Sequence, residues 1–159
     1  MSEEVRIKIR SVRFEVEASL FSEEEEYEMS RLEERDAEPE VVEINTVGRF
    51  SVCEGRVEIS YEETEVTGME GSTTALTYMT DNEGVVSMIR EGAVSTALVF
   101  EEGKRHHCVY NTPFMPFQVC VHTLKVDNRM SDGRYIELDY IVEIRGARAE
   151  RTRFRMELL

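Results

Sequence analysis

Arg90 is the residue whose position most invites chemistry. It follows Val86 and Met88 at alternate places in a run of apolar and polar side chains, so a strand there aims its guanidinium at the face that carries the core. A cation on that face needs a partner, because an isolated buried charge is prohibitively costly. Its planar fork suits bidentate capture of a carboxylate or phosphate, which makes Arg90 the centre of a candidate ligand site. Two other readings stand beside this one. Arg90 could close one end of the fold against backbone carbonyls, or the strand could slip phase before Glu91-Gly92 and turn the side chain to water. Tyr61, Tyr110 and Tyr140 fall at inward positions of their own runs. With Thr74 they complete the candidate ligand-binding set, a few hydroxyls orienting a mostly apolar molecule. Tyrosines so placed are more often core residues with satisfied hydroxyls.

His106, His107, Cys108, Cys120 and His122 raise the question of a metal. His106 and Cys108 share a face, as do Cys120 and His122, and imidazole with thiolate suits zinc. No CxxC or HExxH spacing is present, and neighbouring strands produce such coincidences freely, so no metal site is expected. A Cys108–histidine nucleophilic pair has still less behind it, since nothing sets a base beside the thiol. No catalytic constellation and no cofactor motif stands out elsewhere, and the expectation is a non-enzymatic protein without a cofactor.

The elements that must position these residues are strands. Period-two alternation runs through nearly the whole chain. Val5, Ile7 and Ile9 give way to Val12, Phe14 and Val16, a change of parity that predicts a β-bulge at a barrel corner. Val42 to Val52 and Val57 to Tyr61 predict a hairpin about a two-residue turn at Glu54-Gly55, with Val52 opposite Val57, Phe50 opposite Ile59 and Gly48 opposite Tyr61. Further strands are expected at Thr73–Thr80, Val85–Arg90, Val94–Phe100 and Arg105–Asn111, with others around Phe117–Thr123, Ile136–Ile144 and Phe154–Leu158. Glycine-bearing polar turns separate several of them. Ser22 with Glu25 forms a capping box, yet Tyr27, Met29 and Leu32 make too thin an apolar stripe to choose between a short helix and an acidic loop over residues 22–40.

With 159 residues the chain is expected to form a single domain spanning 1–159. A chain of this size buries roughly two-thirds of its unfolded surface without staples. The net charge is −14, and residues 23–40 alone hold ten acids against two arginines. A body so negative disfavours phosphate backbones, which excludes nucleic acid as the expected partner. No apolar run reaches the length of a bilayer span. The acidic start Met1-Ser2-Glu3-Glu4-Val5 does not resemble a secretory leader. Three cysteines in no framework fit reduced thiols, so the expected location is the cytoplasm. Arg6, Lys8 and Arg10 near one end and Arg151, Arg153 and Arg155 near the other are expected to pair across strands with Glu137, Asp139 and Glu143.

An ordered series of short motifs carries a family resemblance: Ile59-Ser60-Tyr61-Glu62-Glu63, Thr67-Gly68, Thr73-Thr74, Met88-Ile89-Arg90-Glu91-Gly92, the turn from Phe100 to Gly103, and Tyr110-Asn111-Thr112-Pro113. Over most of residues 40–145 the chain resembles the YwiB-like proteins, an uncharacterised bacterial family with a lipocalin-like (calycin) β-barrel. The resemblance implies a closed barrel rather than a sandwich, a choice that periodicity leaves open, and it implies no activity. The chain departs from the family in its longer acidic stretch 22–40. It departs again at Phe114-Met115-Pro116, where a glycine is expected after Thr112-Pro113.

The expected fold is therefore all-β: a single closed antiparallel barrel of about eight to ten strands, with the acidic loop or short helix between the first two. The expected function is binding of a small, partly apolar ligand inside it. The alternatives are a protein–protein interaction module, or a homodimer, using the acidic segment or an exposed strand edge. A second alternative is an enzyme acting on an acyl or phosphate compound near Arg90.

Overall fold

Alternating side chains leave each strand one apolar face, and a sheet that curls until its edges meet buries all those faces at once. The computed structural model, which describes residues 2–16, 39–65, 70–144 and 148–159, is such a barrel. Its ten strands are β1 (Ser2–Val16), β2 (Glu40–Cys53), β3 (Arg56–Glu62), β4 (Thr73–Met79), β5 (Asn82–Glu91), β6 (Ser95–Glu101), β7 (Arg105–Asn111), β8 (Pro116–Asn128), β9 (Tyr135–Ile144) and β10 (Arg148–Leu158). Each pairs antiparallel with its neighbours in sequence, and β10 closes on β1. The segment 22–38, expected as acidic loop or short helix, lies outside the described residues, and Glu40 already belongs to β2.

The predicted hairpin has the predicted register: Val52 faces Val57, Phe50 faces Ile59 and Gly48 faces Tyr61. Its turn residues Glu54 and Gly55 both have positive φ, 51° and 79°, as a two-residue turn matched to strand twist requires. The next turn is tighter than predicted. Met79 pairs with Asn82, so Asn82 to Gly84 belong to β5.

The bulge expected in β1 is absent. Its ladder with β10 runs unbroken from Ile7–Leu158 to Val16–Ala149, and that with β2 from Ser2–Ser51 to Arg13–Glu40. Val5, Ile7 and Ile9 face inward, so Phe14 and Val16 face outward, where they join Leu124, Ile141 and Ala149 in a small second cluster. A second apolar face, not a kink, explains the change of parity.

The inside differs from end to end. Ile7, Ile59, Leu76, Val86, Phe100 and Met156 are fully buried and pack one half solid. The β8–β9 connection closes that end: Met130 is buried, and the Asn128 amide donates to the Glu83 carbonyl at 3.1 Å. At the other end the inward side chains stand apart and leave a cavity.

Outside, the terminal strands are laced by ion pairs, as expected from sequence. Arg151 grips Asp139 through two hydrogen bonds of 2.9 and 2.7 Å. Arg155 pairs with Glu137, and Lys125 reaches the same carboxylate at 3.4 Å. Arg10 takes a partner on β2 instead, Glu43 at 3.2 Å. No helix among the described residues is long and apolar enough to cross a membrane.

Candidate functional site

Cross-strand register decides which inward side chains meet. Tyr61 faces Thr74, Thr74 faces Arg90, Arg90 faces Thr96 and Thr96 faces Tyr110. Five strands thus lay one polar belt around the barrel wall. Four of the five candidates singled out from sequence lie in it. Tyr140 stands in a separate row, between Thr123 and Thr152.

This belt floors a cavity of about 400 Å³, within the range of roughly 300–1,000 Å³ that small-molecule sites occupy. Tyr61, Arg90, Tyr110 and Tyr140 line it, with Met88, Leu98 and Phe154 among the apolar contributors. Thr74 does not line it. The residue faces inward but is fully buried between Glu63 and Arg90, whose side chains its hydroxyl bridges. Arg13 and Glu150, 3.5 Å apart, form an ion pair in the lining nearer the rim.

Arg90 has a partner that sequence reading did not single out. Glu63 continues the inward parity of Val57, Ile59 and Tyr61, and its backbone N–H extends the ladder by donating to the Ser72 carbonyl at 2.8 Å. The Thr74 hydroxyl donates to Glu63 Oε1 at 2.6 Å, and Arg90 Nε donates to the Thr74 hydroxyl at 3.1 Å. Arg90 Nη2 lies 3.6 Å from the same carboxylate oxygen. The Glu63 side chain is 1% exposed and that of Arg90 is 18% exposed. A buried carboxylate therefore already compensates the guanidinium. That removes the water-facing reading of Arg90 and weakens the reading of it as an open anion anchor.

The Tyr61 hydroxyl belongs to this cluster, with Glu63 and Thr74 as its hydrogen-bonding neighbours. Burial and the Glu63 charge push its phenol far above the ordinary range, against a smaller pull from Arg90. Tyr110 is also shifted up by burial, with Arg90 and Arg13 drawing it back. Tyr140 sits where the solid half meets the hollow one, its ring centroid 4.5 Å from that of Phe100 and tilted by 50°. Burial pushes its phenol up to about 12. An unfolded tyrosine titrates near 10, so between pH 10 and 12 the unfolded chain gives up a proton that the folded one keeps. The contribution of Tyr140 to stability is expected to be intact below pH 10 and to be lost, about 2–3 kcal/mol of it, as pH rises through that window. Tyr61 and Tyr110 add losses of the same sign. Denaturant midpoints measured alongside phenolate absorbance check this. Phenolate appearing with an ordinary pKa while the fold persists would contradict it for Tyr140.

The histidines and cysteines do not form one site. His106 faces Val121 and Cys108 faces Val119 on the inner side, whereas Cys120 faces His107 and His122 faces Arg105 on the outer side. The strands are neighbours, but the pairs point to opposite faces of the wall. Among the described residues no three His, Cys, Asp or Glu side chains converge on a metal position. Burial holds the Cys108 thiol above its ordinary range, the reverse of an activated nucleophile.

Fold and site together define a closed ten-stranded antiparallel barrel, packed at one end and holding a polar-belted cavity at the other. The chain belongs to a family described as a domain of unknown function (DUF1934), whose profile matches residues 26–156. The crystal structure of the YwiB protein from Bacillus subtilis is similar, with a TM-score of 0.64 over 99% of this chain and 93% of that one, at 19% identity. At that identity the likeness shows a shared barrel fold, and it agrees with the resemblance read from the motifs. A search of the curated proteins returns no match.

Proposed function

We propose that this barrel is a non-enzymatic binder of a small, partly apolar molecule, held in the hollow end in the manner of a calycin. The observation that carries the proposal is the contrast between the two halves of one interior: a solid core below, and above it 400 Å³ bounded by apolar side chains and a belt of hydroxyls around Arg90. Interiors of small barrels ordinarily fill with side chains, so a gap with a few convergent polar groups calls for an occupant. A cytoplasmic location belongs to the same proposal, and the free thiols of Cys53, Cys108 and Cys120 suit a reducing compartment.

Native mass spectrometry of gently purified protein, set against its denatured mass, tests this directly. A discrete extra mass lost on denaturation is expected. A bare mass, combined with no thermal shift across a panel of small amphipathic compounds, overturns the proposal.

A protein-binding role has one specific observation in its favour. In the β7–β8 connection the Thr112 hydroxyl accepts the Phe114 and Met115 N–H groups, at 3.3 and 3.2 Å, and donates to the Met115 carbonyl at 2.8 Å. The turn that lacks the family's glycine is thus fixed by a threonine that itself lines the cavity, and it presents Phe114 94% exposed. The strand-edge version of this role has the β6–β7 seam to use, where pairing is limited to Ser95–Asn111 and Thr96–Tyr110.

A further inference from the structure

The sequence pointed to Arg90 as an anchor for a carboxylate or phosphate, and the charges around it argue for a different ligand. The Glu63 carboxylate is almost wholly buried and lines the cavity, with the Tyr61 hydroxyl as a hydrogen-bonding neighbour. Oε1 takes the Thr74 hydroxyl and faces Arg90, whereas Oε2 makes no hydrogen bond of good geometry. A buried carboxylate oxygen left in this state is costly, and what it lacks is a well-aligned donor. An anion offers none and would meet the Glu63 charge at short range.

A full cation fits little better. Arg90 lies 3.6 Å from Glu63 Oε1 and already balances that carboxylate. The other lining arginine, Arg13, is balanced at the rim by Glu150, with the exposed Glu40 across the β1–β2 ladder from it. A neutral head with an N–H beside a carbonyl satisfies both members of the inner pair, its N–H on Glu63 Oε2 and its carbonyl toward the Arg90 guanidinium.

We propose that the cavity selects a ligand with a neutral amide-type head, whether carboxamide, lactam or ureide, on a partly apolar body, with Glu63 as acceptor and Arg90 as donor. This rests on the hollow end being a ligand site. It narrows that site to a head-group class and assigns Glu63 to it.

The test uses three probes that share one body and differ in the head: hydrocinnamamide, hydrocinnamate and phenylpropylamine. Their binding to the full-length protein is measured by calorimetry, and occupancy of the site is followed through the Arg90 Nε–H resonance by NMR. The amide is expected to bind about tenfold or more tighter than either charged probe, the difference that one well-formed hydrogen bond to a charged group supplies. In Glu63→Gln the Thr74 hydroxyl holds the amide oxygen, a donor NH₂ replaces Oε2, and Arg90 loses its counter-charge. The preference should then invert toward hydrocinnamate. A parent protein that prefers the carboxylate or the amine, or binds all three alike, overturns the head-group assignment and leaves the cavity proposal standing. No displacement of the Arg90 resonance by any probe overturns both. The parent's ranking alone decides the matter if the variant does not fold.

Discussion

Gly48→Ala should be among the most damaging single-methyl changes available to this protein, lowering stability by about 3 kcal/mol and the melting temperature by roughly 10 °C. An alanine Cβ at this place would lie 2.2 Å from the Ser60 carbonyl oxygen and 2.4 Å from Ile7 Cδ1. Of these neighbours only the Ile7 methyl can move. The Ser60 oxygen belongs to the strand paired with β2, so relief of that contact means opening the wall between Arg49–Ser60 and Gly48–Tyr61. Two variants separate the causes. Ile7→Val combined with Gly48→Ala should recover little, because the backbone contact remains. Gly84→Ala, where an added Cβ meets nothing within 4 Å, should be close to neutral. Thermal melts of all three decide the matter, and a loss under about 1 kcal/mol for Gly48→Ala would mean that the wall yields more easily than close packing allows.

That glycine also marks how far the sequence could be read. Its place opposite Tyr61 followed from parity and turn chemistry, because Val52, Phe50 and Gly48 allow one register about Glu54-Gly55 that keeps every apolar side chain inside. The reason for the glycine did not follow. It is the carbonyl of Ser60 and the end of Ile7, atoms whose approach depends on the curvature of a closed wall. The misread parity in β1 has a similar origin. Phe14 and Val16 looked like a shifted inner face because alternation reports that a face is apolar, not which side of the sheet it lies on. Only the company of Leu124, Ile141 and Ala149 assigns them to the outside.

For the site, the inward aim of Arg90 was legible within its own strand. Its counter-ion was not, since Glu63 meets Arg90 through the joint register of β3, β4 and β5. Thr74 stands on the inner face as its parity predicts, and that same register commits its hydroxyl to Glu63 and Arg90. The histidine and cysteine pairs stay apart through the same kind of register: each shares a face within its strand, but the β7–β8 pairing sets those faces opposite.

Arg90→Met should cost about 2–3 kcal/mol, more than Glu63→Gln at about 1 kcal/mol, although the two residues form one pair. The asymmetry comes from exposure. With Arg90 gone, the Glu63 carboxylate is left 1% exposed with Thr74 and Tyr61 for company and no cation nearby, and an uncompensated buried charge is the costly remnant of a broken pair. With Glu63 neutral, Arg90 keeps its bond to the Thr74 hydroxyl and its 18% exposure toward the cavity, so part of its solvation survives. The double variant Glu63→Gln/Arg90→Met should therefore be more stable than Arg90→Met alone, with a coupling of about 1–2 kcal/mol between the two sites. Denaturant unfolding of the four proteins closes the cycle. Strict additivity, or a cost for Glu63→Gln equal to that of Arg90→Met, would show that the guanidinium is not what makes the buried carboxylate tolerable. Such a result would also remove the charge balance on which a neutral head group depends, because an Arg90 that does not compensate Glu63 is free to hold an anion.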